Sequence, residues 1–236
     1  AMDLVDVDAG GSDLTLTLEV GTGVIQAVAN PIIDIDGSGS STVSLTGTLA
    51  DLNVYLDGVT NFSYLGLLNT SGNDADLVTI SIDDGGGSEI TLGTVNFDVD
   101  AINDDPVNIG VLPTDINVVT GLLSGVDLSG ITIQDVDAGS NNIQLTLSVA
   151  NSTIVGELLA GITVFGSNSN TLVLTGSVAD LNVYLDNVAN IRLLPGFGLL
   201  GVGVDALTIS VNDLGFSGIG GGGDVLIGTV DVDVLL

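Results

Sequence analysis

The chain contains no cysteine, histidine, lysine or tryptophan, and Arg192 is its one basic side chain. Each absence closes a class of chemistry. Without cysteine there is no disulfide, no thiolate metal site and no thiol nucleophile. Without histidine or lysine, a serine has no ordinary general base and a developing oxyanion has no cationic clamp. Two carboxylates alone can run a glycosidase, but the aromatic platform for a sugar is thin, with three tyrosines, Tyr55, Tyr64 and Tyr184. The inventory reads as a non-enzyme. Nucleic acids and anionic membranes are bound through Lys and Arg, so neither is an expected partner. No apolar run reaches the length of a membrane span, so direct membrane insertion is not expected.

What the chain has is acid. Thirty carboxylates against one base give a formal charge of −29, and 27 of the 30 are aspartates, the glutamates being Glu19, Glu89 and Glu157. With 45% hydrophobic residues, the chain can bury enough apolar surface to fold, unlike an acidic disordered tail. It folds against its own repulsion, and cations are its natural partners. Aspartate is favoured both in turns and in compact oxygen cages around hard cations.

The sequence repeats. LTGTLADLNVYLD at Leu45–Asp57 returns as LTGSVADLNVYLD at Leu174–Asp186, an offset of 129 residues. At that offset Asp6 and Asp8 match Asp135 and Asp137, and Val78–Ile82 matches Leu207–Val211. Beyond Asp213 the offset becomes 135, aligning Gly93-Thr94-Val95 with Gly228-Thr229-Val230. The six added residues make Leu214–Asp224 a surface loop, and its Gly220–Asp224 stretch reads as a mobile hairpin tip. The counterpart of Pro113–Ile133 falls almost wholly before Ala1. The first module is therefore expected to lack its first strand, as a segment of a longer tandem array would. The missing strand leaves a sheet edge unpaired near the N-terminus, open to a strand from a neighbour and to weak self-association.

Strict alternation, as in Leu14-Thr15-Leu16-Thr17-Leu18 and Val230-Asp231-Val232-Asp233-Val234, predicts half-buried strands. Turn signals such as Asp36-Gly37-Ser38-Gly39 punctuate them. The expected fold is all-β: two tandem antiparallel β-sandwich modules of Greek-key type, cadherin- or immunoglobulin-like, at residues 1–102 and 103–236, in an elongated arrangement. One short helix interrupts each module, over Ala50–Leu56 in the first. Thr48 with Asp51, and Ser177 with Asp180, form T/S-x-x-D capping pairs. Tyr55 and Tyr184 read as packing residues on the capped turn. Gly196–Gly201 matches G-x-G-x-x-G, but no helix follows it and the pattern carries no dinucleotide site.

The junction Asp100-Ala101-Ile102-Asn103-Asp104-Asp105-Pro106 crowds polar oxygens that need a counter-charge. A hard ion taking six to eight oxygens in irregular geometry, calcium rather than magnesium, meets that need. Asn103-Asp104-Asp105-Pro106, followed by Asp135-Val136-Asp137 and by Asp213 after an alternating strand, resembles the cadherin repeat. More closely it resembles the cadherin-like tandem repeats of giant bacterial surface adhesins, the RTX adhesins exported by type I secretion. The cadherin linker reads D-x-N-D-N-x-P, from which N-D-D-P departs at its third position, and Leu49-Ala50-Asp51 stands where that family places L-D-R-E.

The resemblance implies that Asp51 and Asp100 of the first module, Asn103, Asp104 and Asp105 of the linker, and Asp135, Asp137 and Asp213 of the second converge on one Ca2+-filled junction. Asp6, Asp8 and Asp84 would form half of the preceding one. It further implies an extracellular extender at a bacterial cell surface, with calcium and neighbouring repeats of the same chain as partners, projecting an adhesive tip for adhesion or biofilm formation. Two rivals are a carbohydrate- or protein-binding module, recognising its ligand through Leu214–Asp224, and a homotypic adhesion domain.

Overall fold

The computed structural model describes residues 2–215 and 218–236. They divide into two compact units, Ala1–Ala101 and Ile102–Leu236. Unit 1 comprises strands β1 (Asp13–Val20), β2 (Val24–Ala27), β3 (Asp34–Asp36) and β4 (Thr42–Thr48), helix α1 (Leu49–Leu56), then β5 (Phe62–Leu65), β6 (Gly72–Asp83) and β7 (Ile90–Val99). Unit 2 opens with β8 (Val107–Asn108), β9 (Asp115–Val119), β10 (Ser124–Gly125) and β11 (Ile133–Gln134). It then repeats the plan of unit 1 with β12 (Asn142–Ser148), β13 (Thr153–Gly156), β14 (Thr163–Phe165), β15 (Thr171–Ser177), α2 (Val178–Leu185), β16 (Ile191–Leu194), β17 (Gly201–Asn212) and β18 (Val225–Leu235).

In unit 1 the main sheet runs β3-β4-β1-β6-β7, and β2 pairs with β5. In unit 2 the corresponding sheet runs β14-β15-β12-β17-β18-β9, with β10-β16-β13 as a second sheet and β8 paired with β11. The non-sequential order, β1 lying between β4 and β6, is that of a Greek-key sandwich. Alternation places the core: Leu14, Leu16, Leu18 and Val20 of β1 are buried while Asp13 and Glu19 face out. In unit 2, Ile143, Leu145 and Leu147 of β12 meet Leu172 and Leu174 of β15 in one apolar cluster. The named ladders are antiparallel except for β9, which pairs parallel with β18.

The repeated motif builds the same corner in each unit. Thr48 Oγ1 accepts from Asp51 N and donates to Asp51 Oδ2 at 2.6 Å, and Ser177 does the same with Asp180 at 2.7 Å, closing the first helical turn. The asparagine of each helix is a two-point clamp. Asn53 accepts from Leu4 N and donates to Leu4 O, as Asn182 does with Ile133. The buried tyrosines donate to loop carbonyls, Tyr55 to Val28 O and Tyr184 to Glu157 O, and burial pushes the Tyr184 hydroxyl up to about 12. These tyrosines fix the corner, as their packing role requires.

Candidate functional site

Strand direction decides which acids meet. In unit 1, β4 ends at Thr48 opposite Asp13 at the start of β1, and β6 ends at Asp83 opposite Thr15. Asp6, Asp8, Asp84 and Asp51 therefore gather at this N-terminal end of the sheet. β7 runs the other way, from Ile90 opposite Ile82 to Val99 opposite Gly72, so Asp100 leaves the sheet at the opposite end. Asp51 and Asp100 do not come together, and Asp51 is engaged with Thr48 in the helix cap. A convergence of these two acids on one junction is corrected by the topology: the helix begins where β4 stops, at the far end of the sheet from the end of β7.

The N-terminal end of unit 2 carries the denser cluster. Asp135 sits in a tight turn after β11, its Oδ1 accepting from Asp137 N at 3.2 Å and Ala138 N at 2.9 Å. Asp137 Oδ2 accepts from Asp104 N at 2.9 Å. Asp213 follows β17 and is 2% exposed. Its Oδ1 accepts from Gly215 N at 3.0 Å and Gly222 N at 2.8 Å, and the Asn103 amide donates to its Oδ2. Asp105 is exposed, and Pro106 behind it is buried. Unit 1 repeats the turn without the linker residues: Asp6 Oδ1 accepts from Asp8 N and Ala9 N, each at 3.1 Å, and Asp84 Oδ1 from Gly86 N at 2.9 Å.

The electrostatics separate anchoring acids from frustrated ones. Burial pushes the Asp135 carboxyl up, and the adjoining Asp137 carboxyl adds to the shift against two backbone donors. Burial acts the same way on Asp213, but the Gly215 amide, the Asn103 side chain and the Gly222 amide outweigh it and hold the carboxyl below its ordinary value. Hydrogen bonding to Asp6 and the charges of Asp6 and Asp84 push Asp8 up. The Asp8 amide leads the contacts that lower Asp6.

Three buried oxygens of the unit 2 cluster, Asn103 Oδ1, Asp135 Oδ2 and Asp137 Oδ1, have no hydrogen-bond partner. A buried oxygen without a donor costs on the order of 1–3 kcal/mol, and three on neighbouring residues form an all-oxygen donor set of the kind hard cations take. Among the described residues, no group of three or more acidic side chains stands close enough to hold a metal by itself. The fit therefore rests on Asn103 together with Asp135 and Asp137, while Asp213 already has its donors.

The inserted loop has a defined place. The reading of Leu214–Asp224 includes Phe216 and Ser217, which lie outside the described residues. On either side of them the loop is tied down: Gly215 and Gly222 donate to Asp213, Ile102 bridges Ile219, and Asn103 N donates to Ile219 O at 3.2 Å. Gly220–Asp224 is thus no free hairpin tip, because the loop's own amides satisfy the buried Asp213 carboxylate. The sequence shows the insertion but not its target.

Two further acids went unmarked in the sequence reading. Asp76 accepts from Gly21 N, Gly23 N, Leu77 N and Tyr64 Oη at 2.8–2.9 Å. Asp205, its counterpart, accepts from Ala150 N and Asn151 N at 3.0 Å. Burial works against ionisation of Asp76, but these donors hold its carboxyl far below the ordinary range. Their matching positions within the repeat, in otherwise alternating strands, were the available signal.

No family model matches the chain, and no curated protein is similar to it in sequence. Among solved structures it is similar to a protocadherin gammaB7 EC3-6 cis-dimer, at 19% identity and a TM-score of 0.33, over 92% of this chain and 40% of that one. It is also similar to an endo-fucoidan hydrolase of glycoside hydrolase family 107, at 14% identity and a TM-score of 0.21, over 94% of this chain and 24% of that one. A third is the type II cohesin dyad of the adaptor ScaA scaffoldin of Acetivibrio cellulolyticus, at 10% identity and a TM-score of 0.20, covering 98% and 91% of the two chains. The chain thus spans less than half of the first two. The sandwich assignment rests on the strand pairing described above. No helix among the described residues is long and apolar enough to cross a membrane.

Proposed function

We propose that this chain is a structural extender: tandem cadherin-like sandwich modules of a large bacterial surface adhesin, stiffened by calcium and carrying no catalytic site. The observation that carries the reading is the trio of unpartnered buried oxygens on Asn103, Asp135 and Asp137, at the place where the sequence resembles a cadherin linker. In this reading Asn103, Asp135 and Asp137 hold Ca2+ at the head of unit 2. Asp104, Asp105 and Asp100 supply further oxygens from the linker, and Asp213 orders the loop that seats Asn103. Asp6, Asp8 and Asp84 form a weaker site that lacks an asparagine counterpart, with Asp51 at the same end of its sheet. The ion neutralises carboxylates that repel in its absence, so binding and folding are linked.

Thermal unfolding of the chain in Ca2+ and in excess chelator tests this. Calcium at about a thousand times its Kd stabilises by ~4 kcal/mol, raising Tm by several degrees. Asp104→Asn/Asp137→Asn removes most of that increment. An unchanged Tm on chelation overturns the calcium reading. Arrays of glycans and host proteins address the binding-module alternative, since an extender gives no hits. Sedimentation with and without Ca2+ addresses homotypic adhesion, which requires concentration-dependent dimers.

A further inference from the structure

The two units share one strand plan and differ at one sheet edge. In unit 2, β9 lies along β18 with Ile116 opposite Val232 and Val118 opposite Val234. Val230, Val232 and Val234 are buried beneath it, at 1%, 0% and 1% exposure. β7 is the counterpart of β18, Val95 matching Val230 and Phe97 matching Val232, yet it is the last strand of its sheet. Val95 is 51% exposed as a result. Beside it an open apolar groove of about 370 Å³ is lined by Leu18, Ile25, Tyr64, Val78, Val95 and Phe97.

Unit 1 covers part of this groove with aromatics. Tyr64 stacks on Phe97, ring centroids 4.3 Å apart and planes at 10°, where unit 2 places the smaller Leu193 and Val232 beneath β9. Gly23 makes room for the tyrosine, since a Cβ there would stand 2.3 Å from Tyr64 Cε2. At the matching position unit 2 has Ser152.

We propose that the outer edge of β7 over Asn96–Asp100 is an acceptor site for one kind of partner, an extended strand of β9 character. It docks parallel to β7, with apolar side chains opposite Phe97 and Val99 entering the groove. Unit 2 shows what such a groove takes when the same sheet is completed. The free N–H and C=O groups of an edge strand supply affinity, and the groove supplies selection for alternate apolar residues. Charge selects as well. Asn117 of β9 stands opposite Asp233, whose counterpart is Asp98, and Asp74 and Asp100 flank the same edge. The occupant therefore places a neutral or basic residue, never an acid, opposite Asp98. This site is independent of calcium and goes beyond the extender reading.

The test uses the full chain with a second copy of Leu112–Gly130 fused directly before Met2. This spacing is the repeat's own, because Ile131 is the counterpart of Met2. Amide hydrogen exchange over Asn96–Asp100 is expected to slow at least tenfold, and the melting transition of unit 1 to rise. A control fusion carrying Ile116→Asp and Val118→Asp in the added copy should show neither effect. Unchanged exchange in β7, or equal protection by the control fusion, overturns the proposal.

Discussion

At the residue scale, the acids of this chain divide by what their oxygens meet. Asp76, Asp205 and Asp213 accept backbone donors and act as rivets for turns and loops. Asp135 and Asp137 keep an oxygen each without a donor. The division has a pH consequence for Asp76, whose folded-state value is depressed far below its unfolded value of about 4. Its stabilisation is complete above the unfolded value and is lost as pH falls through the folded one. Acid melting of unit 1 should therefore steepen below about pH 4. Asp76→Asn should flatten that dependence and cost ~2 kcal/mol at neutral pH. Calorimetry across pH checks this, with unit 2 and its intact Asp205 as internal reference.

At the element scale, the loop after β17 is specified by close approach. Gly221 has φ of +72°, and a Cβ there would stand 2.2 Å from Asn103 Nδ2. Gly221→Ala is expected to cost ~1–3 kcal/mol and to free the Asn103 side chain, read as a lower Tm of unit 2 and faster exchange at Asn103. The helices behave differently, because α1 and α2 carry matching caps and matching asparagine clamps on Leu4 and Ile133. Those contacts explain why LNVYLD is the best-preserved stretch between the copies. Its asparagine holds the incoming strand, and its tyrosine holds the loop on the opposite side.

At the scale of the whole molecule, the two units differ in how far their cores are closed. No residue of β7 is fully buried, whereas β18 buries three valines. Burying a valine is worth roughly 1.5–3 kcal/mol, so unit 1 is expected to unfold first. Differential scanning calorimetry should resolve two transitions, and the separate unfolding of unit 1 should appear as early exchange in β6 and β7. A single cooperative transition in chelator would contradict this. The charge of −29 acts on both units, and added NaCl screens it without regard to site, a control that separates general screening from specific calcium binding.

The sequence by itself determined the all-β class and the duplication. Burial of one strand face demands a period of two, and Leu14–Val20 and Val230–Val234 write that period directly. It also determined the helix caps, which depend on residues three apart. The tertiary structure alone decided which acids meet. Alternation says which face a side chain takes but not which strands lie side by side or which way they run, so Asp51 and Asp100 looked like partners until strand direction put them at opposite ends of one sheet. The same holds for Asp213 and its loop, and for Asp76 within its nest of amides. Their donors lie far away in sequence, and only the folded chain brings an amide to a carboxylate.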